Sequence, residues 1–297
     1  MRGRVLVVYL AVSIVWGSTW AVNRIALFDV PPLRFVAVRM LLAAVLLLPF
    51  ALRGGAWRPL VGRAGPQVAA VGLFQVALPY GLMFVAQQWV PSSLAAVLFA
   101  TFPIWIALLA RLLLPGERLT GAKALSGLLG IAGVVVLQLP HLGGVEGSRL
   151  VAIGSALMIA ASIVAALANV LVRRFMVAVS PLATTAGQSA VGAVALGAAS
   201  LLLEAGVPGA FTPRALGAVV YLAAFGTALT YVGLYWLIPR VPLAVIGTIP
   251  LVDTTVAVFL GAALLDERLG WHLAVGGVLV LSAAALAGIE RRPAAPA

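Results

Sequence analysis

The twelve residues YGLMFVAQQWVP (80–91) have a counterpart 151 positions later, YVGLYWLIPRVP (231–242). Both segments begin with Tyr and end in Val-Pro. Two further matches keep the same order at nearly the same spacing: SIV (13–15) with SIV (162–164), and GERLT (116–120) with DERLG (266–270). Three ordered matches at one spacing predict that the chain is an internal duplication, with one repeat in each half.

The composition is that of a membrane protein. Of the 297 residues, 63% are hydrophobic and only 9% are charged, and the mean hydropathy is +1.16. Soluble domains are about 45–50% apolar and about 25% charged. The net charge of +11 does not indicate a nucleic-acid partner, because the basic residues are scattered at the ends of apolar runs, where membrane proteins carry their orientation signals.

Long apolar runs predict ten membrane-spanning helices. A spanning helix needs about 20 mostly apolar residues, and the alternation typical of a β-barrel strand is absent from these runs. The predicted spans are 5–27, 34–52, 67–87, 92–114, 121–139, 149–171, 181–203, 214–237, 242–264 and 270–289. We therefore expect an all-α integral membrane protein.

The duplication and the helix count together predict an inverted repeat. We place the first five-helix repeat at residues 1–140 and the second at residues 141–297. Because five is odd, the second repeat enters the membrane from the opposite side, and the repeats are related by a pseudo-two-fold axis in the membrane plane. The first helix has a counterpart in the second half, so we expect it to be retained and not cleaved as a signal peptide. Secondary transporters use this architecture, with their substrate near the midplane between the repeats.

The distribution of basic residues predicts the orientation. Of the 19 Lys and Arg, 13 fall on the side of the N-terminus and 6 on the other side, where Arg24, Arg34 and Arg39 are assigned to the first loop. The positive-inside rule then places both termini in the cytoplasm of a bacterial-type inner membrane.

The segment WGSTWAVNRIALFDVPPLRFVAVRMLLAA (16–44), the two five-helix halves and the paired GERL and DERL elements resemble EamA-type drug/metabolite transporters. The resemblance covers essentially the whole chain, although the second half is more divergent, with Asp253 where the first half has Pro103 at a spacing of 150. It implies ten helices and the transport of small metabolites, usually outward. The wealth of aromatic residues is most similar to the bacterial aromatic amino-acid exporters of this family.

Several polar and aromatic residues fall deep in the predicted spans, where they are costly unless they face a cavity or the bundle interior. Helical spacing of three or four places them on shared faces. The residues that we expect to line a substrate cavity are Trp16, Trp20, Asn23, Tyr80, Phe84, Gln87, Thr101, Trp105, Asn169, Gln188, Tyr231 and Tyr235. Contacts between helices are the alternative for each. We place no Lys or Arg deep in a span, which disfavours a phosphorylated substrate.

Asp253 is the only carboxylate near the middle of a predicted span. It has the chemistry to bind a substrate amine or to carry a proton, and the alternative is a structural hydrogen bond to a neighbour such as Thr254. Glu117–Arg118 and Glu267–Arg268 lie at repeat-related positions on opposite membrane faces. They are candidates for gate ion pairs, although capping of helix ends explains them better.

Taken together, these features predict a secondary transporter that exports small metabolites, above all aromatic amino acids, by alternating access. A multidrug exporter of the same fold and a passive channel are the alternatives. An enzyme is disfavoured, because the chain has no Cys and its two His, His141 and His272, lie outside or at the edge of the spans. We expect no metal and no cofactor. The expected partners are a small-molecule substrate and membrane lipid, and the sequence is compatible with a monomer.

Overall fold

Ten helices form the bundle in the computed structural model, which describes residues 3–53, 55, 58, 62, 64–114, 121–139, 146–175, 179–241, 243–265 and 270–288. Within these residues every regular element is helical. The first repeat contains α1 (Gly3–Ala26), α2 (Pro32–Arg53), α3 (Gly65–Ala86), α4 (Ser92–Leu113) and α5 (Gly121–Gln138). The second contains α6 (Glu146–Phe175), α7 (Pro181–Leu203), α8 (Pro213–Leu237), α9 (Leu243–Gly247 and Ile249–Leu265) and α10 (Trp271–Gly288).

The outer surface of the bundle suits lipid. Eight of the described helices are long and apolar enough to cross a membrane, and the apolar parts of α5 and α10 are shorter, at Leu125–Leu137 and Trp271–Ala283. Large apolar side chains point outward, such as Leu112 and Leu202, which are 70% and 80% exposed. The predicted all-α membrane fold with ten helices is confirmed. We call the membrane face at which α1 begins the first face, and the face at which α1 ends the second face.

The packing of the helices obeys a pseudo-two-fold relation that pairs α1 with α6, α2 with α7, α3 with α8, α4 with α9 and α5 with α10. The helices α2 and α7 pack against each other, as do α5 and α10. In addition, α1 packs against α8 and α9, while α6 packs against α3 and α4. Exchanging every helix for its partner reproduces this set of contacts, so the two halves form the inverted repeats that the duplicated sequence predicts.

Departures from regular α-helix also occur in pairs. Both third helices contain a π-helical segment, Leu73–Ala77 in α3 and Ala224–Leu229 in α8. Such segments are rare and frequently lie at functional sites. Their shared position in the two repeats indicates that they belong to the architecture.

Both fourth helices are broken, α4 near its middle and α9 after its first five described residues. In α4 the hydroxyl of Thr101 donates to the Leu98 carbonyl at 2.8 Å, and in α9 the hydroxyl of Thr248 donates to the Val245 carbonyl at the same 2.8 Å. Each break lies two residues before a proline, Pro103 or Pro250, which lacks a backbone N–H and disfavours helical conformation in the preceding residue. The structure therefore pairs Pro103 with Pro250, at a spacing of 147, whereas the sequence spacing of 150 had paired Pro103 with Asp253.

Close approach of α1 and α9 depends on Gly17. A Cβ atom at Gly17 would lie 2.6 Å from the Val256 Cβ and 2.7 Å from the Asp253 carbonyl oxygen, both closer than van der Waals contact allows. Ala21, one turn further along α1, is fully buried. The small-residue face of α1 at these two positions therefore sets the spacing of α1 and α9, and with it the position of Asp253.

Candidate substrate cavity

A cavity opens between the repeats, bounded by α1, α3 and α4 of the first repeat and by α6, α8 and α9 of the second. The space among its side chains, together with the open solvent at its mouth, is about 690 Å³. The cavity contacts the π-helical segment of α3 through Gln75 and the break of α9 through Pro250. It thus lies where the irregular parts of the helices meet.

The side chains that line the cavity are related in pairs by the pseudo-two-fold axis. Six pairs contribute both members to the wall: Trp16 with Ala165, Trp20 with Asn169, Tyr80 with Tyr231, Met83 with Leu234, Phe99 with Ile246 and Phe102 with Ile249. The spacing is 149 on the first helices, 151 on the third helices and 147 on the fourth helices. The cavity therefore lies on the axis between the repeats.

The two halves of this wall differ in chemistry. Where the first repeat contributes indole and phenyl rings, the second repeat contributes a methyl group, an amide and two branched aliphatic chains. Tyr80 and Tyr231 are the one aromatic pair that both repeats share. A flat apolar group thus finds most of its stacking surface on the first repeat.

The rings contact one another across the cavity. The Trp16 and Tyr231 rings meet edge to face with their centroids 5.5 Å apart, and Trp20 and Phe99 lie 5.6 Å apart at a tilted angle. The Tyr80 and Tyr231 centroids are 6.4 Å apart. These separations are those of favourable aromatic pairs, so the wall carries two aromatic clusters, one around Tyr231 and one around Phe99.

One carboxylate faces this surface. Asp253 is 4% exposed and lines the cavity beside Trp20, whose side chain is its hydrogen-bonding neighbour. The Thr254 hydroxyl lies 3.4 Å from the Asp253 carboxylate and 3.1 Å from the Ala96 carbonyl. None of the described side chains that bound the cavity is Lys or Arg.

An amide pair adds polar groups to the wall. The Asn169 Nδ2 donates to the Gln75 Oε1 at 3.3 Å and to the Ala165 carbonyl at 2.9 Å. The Asn169 Oδ1 is buried without a hydrogen-bond partner among the described residues. The hydrogen-bonding capacity of this oxygen is therefore unused among the described residues.

A buried arginine lies directly behind the wall. Arg39 is 1% exposed, and its Nε donates to the Thr227 hydroxyl at 2.8 Å while its Nη2 donates to the Gly226 carbonyl at 2.9 Å. Its Nη1 donates to the Asn23 Oδ1 at 3.2 Å. The assignment of Arg39 to a loop, and of no basic residue to the depth of a span, is wrong, because α2 already begins at Pro32 and because the acceptors Gly226 and Thr227 lie at the middle of α8.

The structure brings six of the predicted site residues into the cavity wall: Trp16, Trp20, Tyr80, Asn169, Tyr231 and Asp253. Two others lie one layer behind it. Asn23 binds Arg39, and Phe84 stacks between Phe35 and Tyr80 with centroid distances of 6.0 Å to each.

The remaining predicted residues form contacts between or along helices. The Tyr235 hydroxyl donates to Gln188, and the Trp105 Nε1 donates to the Thr101 hydroxyl at 3.1 Å. Gln87 is buried at the end of α3, where its backbone carbonyl accepts a hydrogen bond from the Arg24 side chain. The four gate candidates Glu117, Arg118, Glu267 and Arg268 lie outside the described residues.

Sequence reasoning missed Phe99, Phe102 and Gln75, which line the cavity, and the depth of Arg39. Phenylalanine in an apolar run carries no signal of its own. The signal that was present is the proline: Phe99 and Phe102 flank the break that precedes Pro103. For Arg39, the signal is the repeat spacing of 149, which aligns it with Gln188 inside the predicted span 181–203.

Comparison with known proteins agrees with this architecture. Residues 3–139 and 152–289 each match the EamA-like transporter family. The chain is 33% identical to the uncharacterized inner membrane transporter YedA of Escherichia coli strain K12, over 96% of this chain and 92% of that protein. It is 22% identical to the uncharacterized transporter YoaV of Bacillus subtilis strain 168, over 93% and 94% of the two chains. A solved crystal structure, 21% identical, has the same fold, with a TM-score of 0.72 over 97% of each chain.

Proposed function

We propose that this chain, which belongs to the EamA-like transporter family, exports aromatic amino acids by alternating access between its two repeats. The protein is a multi-pass inner-membrane transporter of a small-molecule substrate, and its family is one of transporters and not of enzymes. The amino-acid substrate, the direction of transport and the cytoplasmic position of both termini belong to the proposal. The orientation rests on the basic residues assigned to each side: 13 lie on the side of the N-terminus, and 5 of the 6 on the other side remain once the buried Arg39 is left out.

The observation that carries the substrate assignment is the position of Asp253 against the aromatic wall. A carboxylate beside Trp20 and Phe99 offers a counter-ion for an amine next to a stacking surface for a flat side chain. Asn169 and Gln75 add neutral hydrogen-bonding groups on the opposite wall. An aromatic amino acid presents an amine and a ring to this set of groups.

Alternating access is supported by the paired irregularities of the helices. Discontinuous helices that meet at the midplane are typical of transporters built from inverted repeats. Here the breaks at Thr101 and Thr248 have matching geometry in opposite orientation. If one state opens the cavity by bending at one break, the equivalent motion at the other break opens it to the opposite face.

Export of lipophilic cations is the second candidate function. A carboxylate surrounded by rings, with no basic side chain in the wall itself, is also the chemistry that binds organic cations. The two candidates differ in one respect: an amino acid carries a carboxylate and a lipophilic cation does not.

Counterflow in proteoliposomes tests the proposal. Vesicles preloaded with unlabelled L-tryptophan should take up labelled L-tryptophan and L-phenylalanine saturably, and ethidium should compete weakly. Asp253→Asn should lower transport by about tenfold or more, because a charge-assisted hydrogen bond is lost. Thr255→Val, on the exposed side of the same helix, is the matched control and should transport normally.

Each other outcome identifies an alternative. Strong uptake of ethidium without tryptophan would assign the cation exporter, and uptake that neither saturates nor responds to preloading would assign a channel. Repeating the assay with an imposed pH gradient tests whether Asp253 also carries a proton.

A further inference from the structure

Arg39 holds a full positive charge in the bundle, and no anion lies beside it in the part of the chain that the structure describes. Its hydrogen-bond acceptors among the described residues, Thr227, Asn23, Gly226 and the Tyr80 hydroxyl, are all neutral. Among the described residues, the one ion pair joins Arg214 and Asp29 at the second face. A buried charge without a counter-ion is costly, and in a membrane protein it marks a functional site.

The fold itself does not require this charge. Arg39 is the eighth residue of α2, and the eighth residue of α7 is Gln188, its equivalent under the pseudo-two-fold axis. Both side chains are fully buried. Gln188 is paired with a tyrosine, Tyr235, as Arg39 is with Tyr80. At the equivalent position of the second repeat, the neutral side chain of Gln188 is packed equally well. Packing alone therefore does not explain why the first repeat has a cation there.

Tyr80 and Trp16 lie between the guanidinium group and the cavity. The Arg39 Cζ lies 5.0 Å from the centre of the Tyr80 ring, and its Nη2 is 3.5 Å from the Tyr80 hydroxyl. The Trp16 Nε1 donates at 3.3 Å to the Gly226 carbonyl, the same oxygen that accepts from Arg39. Both Tyr80 and Trp16 line the cavity, so the positive charge acts on it across one layer of side chains.

The two charges lie next to the two indoles of α1. Trp16 shares its acceptor with Arg39, and Trp20, one turn further along the helix, is the neighbour of Asp253. The cavity therefore has a cation behind one part of its wall and an anion in another part, and these are the two signs of charge that complement a zwitterionic α-amino acid.

We propose that Arg39 determines specificity for substrates that carry a carboxylate. Arg39 donates to the Tyr80 hydroxyl, and its positive charge strengthens the hydrogen bond that this hydroxyl donates to the carboxylate of the substrate. Asp253 binds the amine. Arg39 is a positioning residue, because Tyr80 and not Arg39 contacts the substrate. The inference rests on the proposed function and names the residue that makes the site select for the carboxylate of its amino-acid substrate.

The test compares L-tryptophan with tryptamine, which lacks only the carboxylate. In proteoliposomes the wild-type protein should prefer tryptophan. Arg39→Gln, which installs the side chain of the equivalent position, should reduce that preference by about tenfold or more by raising the KM for tryptophan, with tryptamine transport little changed. Tyr80→Phe should reduce the preference in the same direction, and Arg39→Lys should restore part of it.

Controls separate this role from a structural one. Arg53→Gln removes the same charge from the exposed end of α2 and should leave the preference unchanged. Equal loss of tryptophan and tryptamine transport in Arg39→Gln, in a variant that elutes and melts like the wild type, would overturn the inference and leave the proposed function standing. Wild-type protein that transports neither compound would show that the proposed function is wrong, and the inference with it.

Discussion

Asp29 and Arg214 form an ion pair of 2.5 Å that joins the α1–α2 turn of the first repeat to the first turn of α8 in the second repeat. The Thr212 hydroxyl donates to the same carboxylate at 2.6 Å. Close by, the Glu204 carboxylate at the end of α7 accepts from the backbone N–H groups of Leu33 and Arg34 at 2.7 Å and 2.8 Å, which caps the start of α2. Two carboxylates therefore tie the repeats together at the second face.

Breaking the Asp29–Arg214 pair should open the cavity more often at the second face. The chain has no Cys, so Thr19→Cys places a single thiol in the cavity wall. We expect Asp29→Asn and Arg214→Gln each to raise the labelling rate of this thiol by roughly two- to fivefold, as suits an exposed ion pair. The double variant should behave like either single variant, and additive effects would show that the two residues act separately.

The same pair predicts a pH dependence. Hydrogen bonds from Arg214, and then from Thr212, hold the pKa of Asp29 below its usual value. The ion pair is therefore fully formed at neutral pH. It is lost only as the pH falls below the usual Asp pKa of about 3.9 and then through the lowered pKa of Asp29. Because only the thiolate reacts, the labelling rate of the cavity thiol is divided by that of a free thiol at the same pH. This ratio should stay constant from pH 8 to 5 and rise in more acidic buffer, and Asp29→Asn should remove the rise.

The architecture was readable from the sequence because duplication and hydropathy are global signals. The match of segment 80–91 with 231–242 could be recognised from similar residues at a fixed spacing, and it predicted that the third helices of the two repeats are equivalent. The shared face of Trp16 and Trp20 followed from the geometry of a single helix. Both indoles lie at the cavity, and Tyr80 and Tyr231 meet there from the two repeats.

What the sequence left open depends on depth and on contacts between helices. Arg39 was assigned to a loop because one basic residue near the start of an apolar run resembles a topology signal, and only its acceptors on α8 show how deep it lies. Asp253 was aligned with Pro103 through the DERL element, whereas the break in α9 precedes Pro250, which is the structural equivalent of Pro103. Hydropathy indicates neither the depth of Arg39 nor the equivalence of Pro103 and Pro250.

The Trp20 indole should contribute its N–H as well as its ring. Trp20→Phe keeps an aromatic face toward Phe99 but removes the hydrogen-bond donor beside Asp253. We expect the KM for tryptophan to rise by about three- to tenfold, because a hydrogen bond to a charged group is lost. Trp271→Phe changes an indole that is 65% exposed on α10 and serves as the control. Equal KM values for the two variants would contradict a role of Trp20 at the site.

The α5–α10 interface should tolerate no side chain at its glycines. A Cβ at Gly133 would lie 2.9 Å from the Gly276 carbonyl oxygen, and a Cβ at Gly276 would lie 2.9 Å from the Gly133 carbonyl oxygen. Gly133→Ala should therefore destabilise the protein by about 1–3 kcal/mol, measured by thermal unfolding in detergent. Gly127→Ala, in the same helix with no atom within 4 Å of the new Cβ, should be neutral or stabilising.

Pro103 and Pro250 should control opposite halves of the transport cycle. Replacing either proline by Ala restores a backbone donor and allows the broken helix to become continuous, which removes a hinge. We expect Pro103→Ala and Pro250→Ala each to slow counterflow of tryptophan by about tenfold with little change in KM. Pro49→Ala, at an exposed interior position of α2, is the control and should transport normally.

The inverted relation of the two breaks makes this prediction directional. Because α4 and α9 are equivalent in opposite orientation, loss of one hinge should hold the cavity open to one face, and loss of the other hinge should hold it open to the opposite face. Labelling of Thr19→Cys from the second face should therefore rise in one proline variant and fall in the other. A shift in the same direction for both variants would show that the breaks bend together and that the cycle does not exchange the roles of the two repeats.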